Sequence, residues 1–99
     1  MARRSRFEIY IHILEAVAEG SKKPTHIMYR ANLSWIRLKK YLNFLISQGL
    51  LRQSTNASTC TFSLTRKGRE VLAYYKRLER LFHQEGRKVF YPEIYVRYN

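Results

Sequence analysis

The stretch that most constrains the fold is HIMYRANLSWIRLKKYLNFLISQGLL, residues 26–51. It reads as two short helices that meet at Asn32-Leu33. In the first of them, Ile27 and Ala31 lie four apart on one face. Asn32 tolerates the positive φ that a tight helix-to-helix turn needs, and Leu33 can plug the angle between the helices. Ser34 is a good N-cap for the next helix, and Gly49 suits its end. In that helix Leu38, Tyr41, Leu42 and Leu45 fall at i, i+3, i+4 and i+7, which defines an inner face. Ile36, Lys40, Asn43 and Ser47 project the other way, with Arg37 and Lys39 on the flanks. Trp35 sits at the edge of the buried arc, where packing near Leu38 is expected. The cations gather at the N-terminal end of this helix, where the helix dipole favours anions.

The flanking segments complete an order of elements. A first helix is expected from about Arg6 to Ala18. Phe7, Tyr10, Ile11, Leu14, Val17 and Ala18 form one apolar arc, and Ile9, Ile13 and Ala16 extend it round the back. A helix apolar on nearly all sides is buried on nearly all sides. In so short a chain, that predicts burial between the rest of the domain and something else. Gly20 ends the helix. SKKP forms a linker in which Pro24 suits a helix start and Thr25 can cap nearby. After the third helix, Cys60, Phe62 and Leu64 alternate with Thr61 and Ser63, the period of a half-buried strand. STNAS, residues 54–58, supplies a turn between that strand and Leu50–Gln53, so a β-hairpin is expected. Thr65 caps a fourth helix, Arg66 to about Gln84, whose apolar arc holds Val71, Tyr74, Tyr75, Leu78, Leu81 and Phe82. The tail 86–99 contains Pro92 and reads as an edge strand or extended arm.

Charge points to the partner. Ninety-nine residues suit one domain, and 19 Lys and Arg against 7 acidic residues give a formal charge of +12. That much self-repulsion weakens a fold unless a polyanion uses it. Nucleic acid leads and a membrane surface comes second. No apolar run approaches the length of a membrane span. The basic N-terminus is followed by an apolar stretch that contains Glu8, His12 and Glu15, unlike a signal peptide. One cysteine excludes an internal disulfide and fits a reducing cytosol, so a cytoplasmic location is expected.

Helix, helix, tight turn, helix, hairpin, helix is the order of a winged helix-turn-helix, mainly α with a small β-hairpin. The opening puzzle then has an answer. The third helix, about residues 34–48, enters the major groove with its N-terminal residues on base edges. Its cations serve DNA and not its own dipole. Arginine pairs with guanine and asparagine with adenine. The base-reading candidates are Ser34, Ile36, Arg37, Lys39, Lys40 and Asn43; Ile36 could touch a thymine methyl or be an ordinary exposed aliphatic. The phosphate candidates are Lys22, Lys23, Arg52, Asn56, Arg66 and Lys67. The wing tip, Ser54 to Thr59, has no cation, so it should contribute little.

RSRFEIYIHILEAV, HIMYRANLS, KYL and LTRKGREVL, spread from Arg3 to Phe82, resemble a family of small basic archaeal winged-helix proteins. That family includes dimeric chromatin proteins and transcriptional regulators, some from viruses and plasmids. The resemblance implies a homodimer joined through the last helix, with Ser34 to Lys40 opening the recognition helix and the hairpin as the wing. The chain departs from the family in a shorter last helix, a longer-looking wing and a tail from Gly86 without a counterpart.

The remaining features point away from catalysis. His12, His26 and His83 lack zinc-ligand spacing, and no phosphate loop, carboxylate pair or nucleophile set is apparent. No enzyme activity, cofactor or small-molecule ligand is expected. Cys60 reads as a small buried hydrophobe. Val71 and Leu72 can finish a monomer core, while Tyr74, Tyr75, Leu78, Leu81 and Phe82 lie beyond it and are the dimer-interface candidates. The expectation is one winged-helix domain, residues 1–85 with a dimerisation helix at about 66–84, and a tail at 86–99. It would bind double-stranded DNA as a homodimeric transcriptional regulator. The alternatives are a sequence-tolerant architectural protein and a protein-interaction module.

Overall fold

A computed structural model describes residues 4–83. Its elements are α1 (Arg6–Ala18), α2 (Pro24–Ala31), α3 (Trp35–Ser47), β1 (Leu51–Asn56), β2 (Thr59–Leu64) and α4 (Arg66–Phe82). The tail 86–99 and the expected end of the last helix at Gln84 lie outside the described residues.

Three of the four helices start on a hydroxyl. Ser5 and Glu8 form a reciprocal capping box on α1: the Ser5 hydroxyl accepts from the Glu8 amide at 3.0 Å and a Glu8 carboxylate oxygen accepts from the Ser5 amide at 2.7 Å. Ser34 caps α3 and Thr65 caps α4, as expected. The expected Thr25 cap on α2 is not formed. Lys23 is the N-cap there, with no side-chain bond, and Pro24 leads the helix. Proline has no amide hydrogen to satisfy, which lessens the need for a cap. Asn32 takes the left-handed conformation at φ 56°, and Gly20 and Gly49 take positive φ after their helices.

The core is centred on α1. Ile9, Ile11, Ile13, Leu14, Ile27, Leu38 and Leu45 are fully buried, and Ala16, Val17, Ala31, Leu33, Leu42, Leu51, Phe62 and Leu72 join them. Each large aliphatic contributes about 1.5–3 kcal/mol by leaving water. The expectation that α1 needs an outside partner on its second face is corrected here. Ile9, Ile13 and Ala16 are covered by the protein's own elements, because α2, β2 and α4 all pack against α1. Phe7, at the open end of α1, remains half exposed.

The hairpin is tighter than expected. β1 and β2 pair antiparallel from Leu51–Leu64 to Asn56–Thr59, so Ala57 and Ser58 alone make the turn. Ala57 carries the positive φ that a two-residue hairpin turn demands. The Phe62 amide also donates to the Lys22 carbonyl at 2.9 Å, which ties the α1–α2 loop to the wing. Cys60 is half buried and accepts from the Gln53 amide at 3.2 Å. Gly68 lies against the Leu50 backbone: a Cβ there would sit 2.1 Å from the Leu50 carbonyl oxygen. A side chain of any size would push α4 off the wing base.

Candidate nucleic-acid interface

The third helix presents its polar face outward. Leu38, Leu42 and Leu45 anchor it to the core, which aims Ile36, Arg37, Lys39, Lys40 and Asn43 at solvent. Ile36 is 79% exposed. No carboxylate occurs in Trp35–Ser47, so every charge on the face is positive. The Ser34 hydroxyl is committed to the Arg37 amide at 3.3 Å. The Arg37 guanidinium lies 5.9 Å from the centre of the Tyr41 ring, one turn on. Tyr41 in turn meets Tyr10 of α1 edge-on at 5.6 Å, and Tyr10 stacks on Phe44 at 4.8 Å. Such aromatic contacts fix ring positions, so the middle of α3 is braced against α1. Trp35 is 48% exposed, which corrects the expectation that it packs at the core edge. At the first position of α3 it lies between the buried Leu33 and Leu38 but does not pack against the core they belong to.

The phosphate candidates fall on loops and element ends, as the pattern predicts. Lys22 and Lys23 are exposed before α2, Arg52 is exposed on β1, Asn56 closes β1 at the wing tip, and Arg66 opens α4. Lys67 has a structural partner: its ammonium donates to the Gln48 carbonyl at 2.9 Å, capping the end of α3.

Arg4 plays a part that no spacing announces. Its Nη1 donates to the Ala31 carbonyl at 2.7 Å and its Nη2 to the Asn32 carbonyl at 2.9 Å, across the helix-to-helix turn. Nη1 also lies 2.9 Å from His12 Nδ1. A guanidinium only donates, so in this contact His12 Nδ1 stands as the acceptor. The fork thus locks the end of α2 and the turn into the recognition helix. A pairing 27 residues apart has no local sequence signal.

Acidic groups collect elsewhere. Tyr75, half buried beside Phe7 at 6.0 Å, has its phenol pushed above its ordinary pKa by burial and then by Glu79, Glu15 and Glu8. Tyr75 therefore packs within the subunit, unlike the rest of the expected dimer surface. Tyr74, Leu78, Leu81 and Phe82 are all exposed, Leu78 at 55%. Val71 and Leu72 do finish the core.

A helix-turn-helix with a two-stranded wing and a braced outward helix defines the winged-helix class. The chain belongs to the winged helix-turn-helix family, whose profile matches residues 3–83. It is similar to two uncharacterized proteins of the archaeon Methanocaldococcus jannaschii. One is 39% identical over 80 residues, covering 81% of this chain and 75% of that protein. The other is 30% identical over 83 residues, covering 84% of this chain and only 37% of the longer relative. Among solved structures, the DNA-binding protein Sso10a-2 of Sulfolobus solfataricus superposes with a TM-score of 0.66 at 25% identity, covering 84% of this chain and 90% of that one. The Streptococcus pneumoniae protein FabT, solved in complex with DNA, shares the fold with a TM-score of 0.70 at 18% identity, over 95% of this chain and 71% of that one. The transcriptional regulator BldR of S. solfataricus does so at 0.68 and 21% identity, over 89% and 66%. Among the described residues, no helix is long and apolar enough to cross a membrane.

Proposed function

We propose that the protein binds double-stranded DNA as a homodimer, places α3 in the major groove, and acts as a transcriptional regulator in the cytoplasm. The observation that carries this reading is the outward face of α3. Arg37, Lys39, Lys40 and Asn43 stand exposed on a rigidly braced helix without a single carboxylate. Arg37 and Asn43 are the side chains suited to guanine and adenine edges, and Ile36 offers an apolar contact to a thymine methyl. Lys22, Lys23, Arg52 and Arg66 hold the backbone. The fold is shared with the DNA-binding protein Sso10a-2, with FabT in its complex with DNA and with the transcriptional regulator BldR, which supports the assignment. Tyr74, Leu78 and Leu81 supply an apolar surface for a second copy.

The test begins with selection of bound sequences from a random duplex pool. Titrations of the selected and a scrambled duplex follow. Arg37→Ala or Asn43→Ala is expected to cost about 1–3 kcal/mol on the selected duplex and much less on the scrambled one. Equal weakening on both would leave α3 as a phosphate clamp, and a sequence-tolerant architectural role would replace the regulator.

A further inference from the structure

The fourth helix carries a row of cations outside every group assigned above. A helix advances about 100° per residue, so Arg69, Lys76 and Arg80, at i, i+7 and i+11, lie in one line. All three are exposed. The line is about 16 Å long at the helical rise, with Arg66 and Arg77 beside it. A groove between α1, β2 and α4 joins the line to the α1–α2 loop: Val17, Leu64 and Leu72 make its floor, and Lys22, Arg69 and Lys76 line it without any carboxylate. Arg69 Nη1 donates to the Leu64 carbonyl at 3.2 Å, which holds the side chain at the base of the wing and leaves most of its five donors available.

This arrangement is unfavourable for the helix itself. Lys76 and Arg80, four apart, repel each other. The first turn of α4 contains no acidic residue to match the dipole. Among the described residues the ion pair is that of Arg30 with Glu19, away from the row. Glu8, Glu15 and Glu79 surround Tyr75 instead. The line itself keeps a single sign over three turns, with Glu70 and Glu79 on its flanks. The row also lies roughly half a turn round α4 from Leu78 and Tyr74, so a second subunit seated on the apolar stripe leaves it uncovered.

We infer that Arg69, Lys76 and Arg80, joined through the groove to Lys22 of the first set of backbone contacts, form a second backbone-binding track, which holds the phosphates of duplex DNA flanking the segment read by α3. The inference rests on the DNA-binding reading above and extends its footprint. The track carries no sequence information, because phosphate contacts set position and general affinity.

The experiment uses the full chain and two duplexes that share one selected sequence. One ends at the sequence; the other extends it by about one helical turn, roughly 10 base pairs, on each side. Affinity is measured against salt for the native protein, for an Arg69→Gln, Lys76→Gln, Arg80→Gln variant, and for Ala73→Lys, which adds a cation beside the same line. The native protein is expected to show a steeper salt slope on the long duplex. The triple variant should lose that excess, up to about 0.9 per lost contact, and match the native protein on the short duplex. Ala73→Lys should steepen the slope on the long duplex alone. Native slopes that are the same on both lengths would overturn the track, as would a triple variant equally weakened on both. DNA-concentration-dependent joining of two separate duplexes through the row would also overturn the flanking assignment. Binding to neither duplex would reject the DNA reading itself, and the track with it.

Discussion

Both α3 and α4 start on a hydroxyl cap and carry cations near their starts, yet α3 buries Leu38, Leu42 and Leu45 along an inner face while α4 buries only Gly68 and Leu72. α3 packs on the core from Leu38 to Leu45, so its stability belongs to the single subunit. α4 rests on the core for two turns and then runs past it, with Tyr74, Leu78, Leu81 and Phe82 in solvent. The same capping chemistry thus opens two helices with different energetics. One is a rigid platform for its outer face. The other leaves one apolar side and one basic side exposed. Hydrophobic burial, not helix propensity, separates them.

Five variants sharpen this contrast, in descending order of effect on the folded subunit. Leu38→Ala should destabilise the protein by about 2–5 kcal/mol, since it leaves a cavity under the recognition helix. Denaturant titration checks it, and a loss below 1 kcal/mol would show that α3 is held loosely. Gly68→Ala comes next. Helix propensity alone favours alanine, but a Cβ 2.1 Å from the Leu50 oxygen forces α4 off the wing. A net destabilisation of about 1–3 kcal/mol is expected, and a higher melting temperature would contradict the close approach.

The two caps follow. Ser34→Ala and Thr65→Ala should each cost about 0.5–2 kcal/mol. Thr65 should cost more, because its hydroxyl accepts from the Gly68 amide at 3.0 Å and also donates to the Gly49 carbonyl at 2.6 Å. Thermal melts of both variants side by side test the ranking. The smallest effect on the subunit is expected from Leu78→Lys with Leu81→Lys. Exposed positions change stability by about 0.5 kcal/mol or less, but sedimentation should show monomers where a dimer is expected of the native protein. A dimer that survives both changes would move the interface off α4.

Much of this architecture is legible in the chain. The helix starts at Arg6 and Arg66, the left-handed Asn32, the Ser34 cap and the Leu38–Leu42–Leu45 face are local matters of spacing and backbone preference. The candidate reading face follows from that spacing too, since a helix with one apolar side must present the other. Turn tightness was less legible, because STNAS is uniformly turn-forming and only strand pairing places the bend at Ala57-Ser58. Trp35 read as core edge because periodicity marks a direction round the helix and not whether the side chain there packs against the core.

The sequence by itself determined the order of elements, their caps, the inner face of α3 and the excess of positive charge. These depend on residues within a turn or two of each other. Tertiary structure decided where α1's second face is buried, that Arg4 closes the turn between α2 and α3, that Gly68 must be glycine, and that Lys22 shares a groove with Arg69 and Lys76. Each of those joins residues far apart in the chain, through contacts set by packing in three dimensions, which no local periodicity encodes.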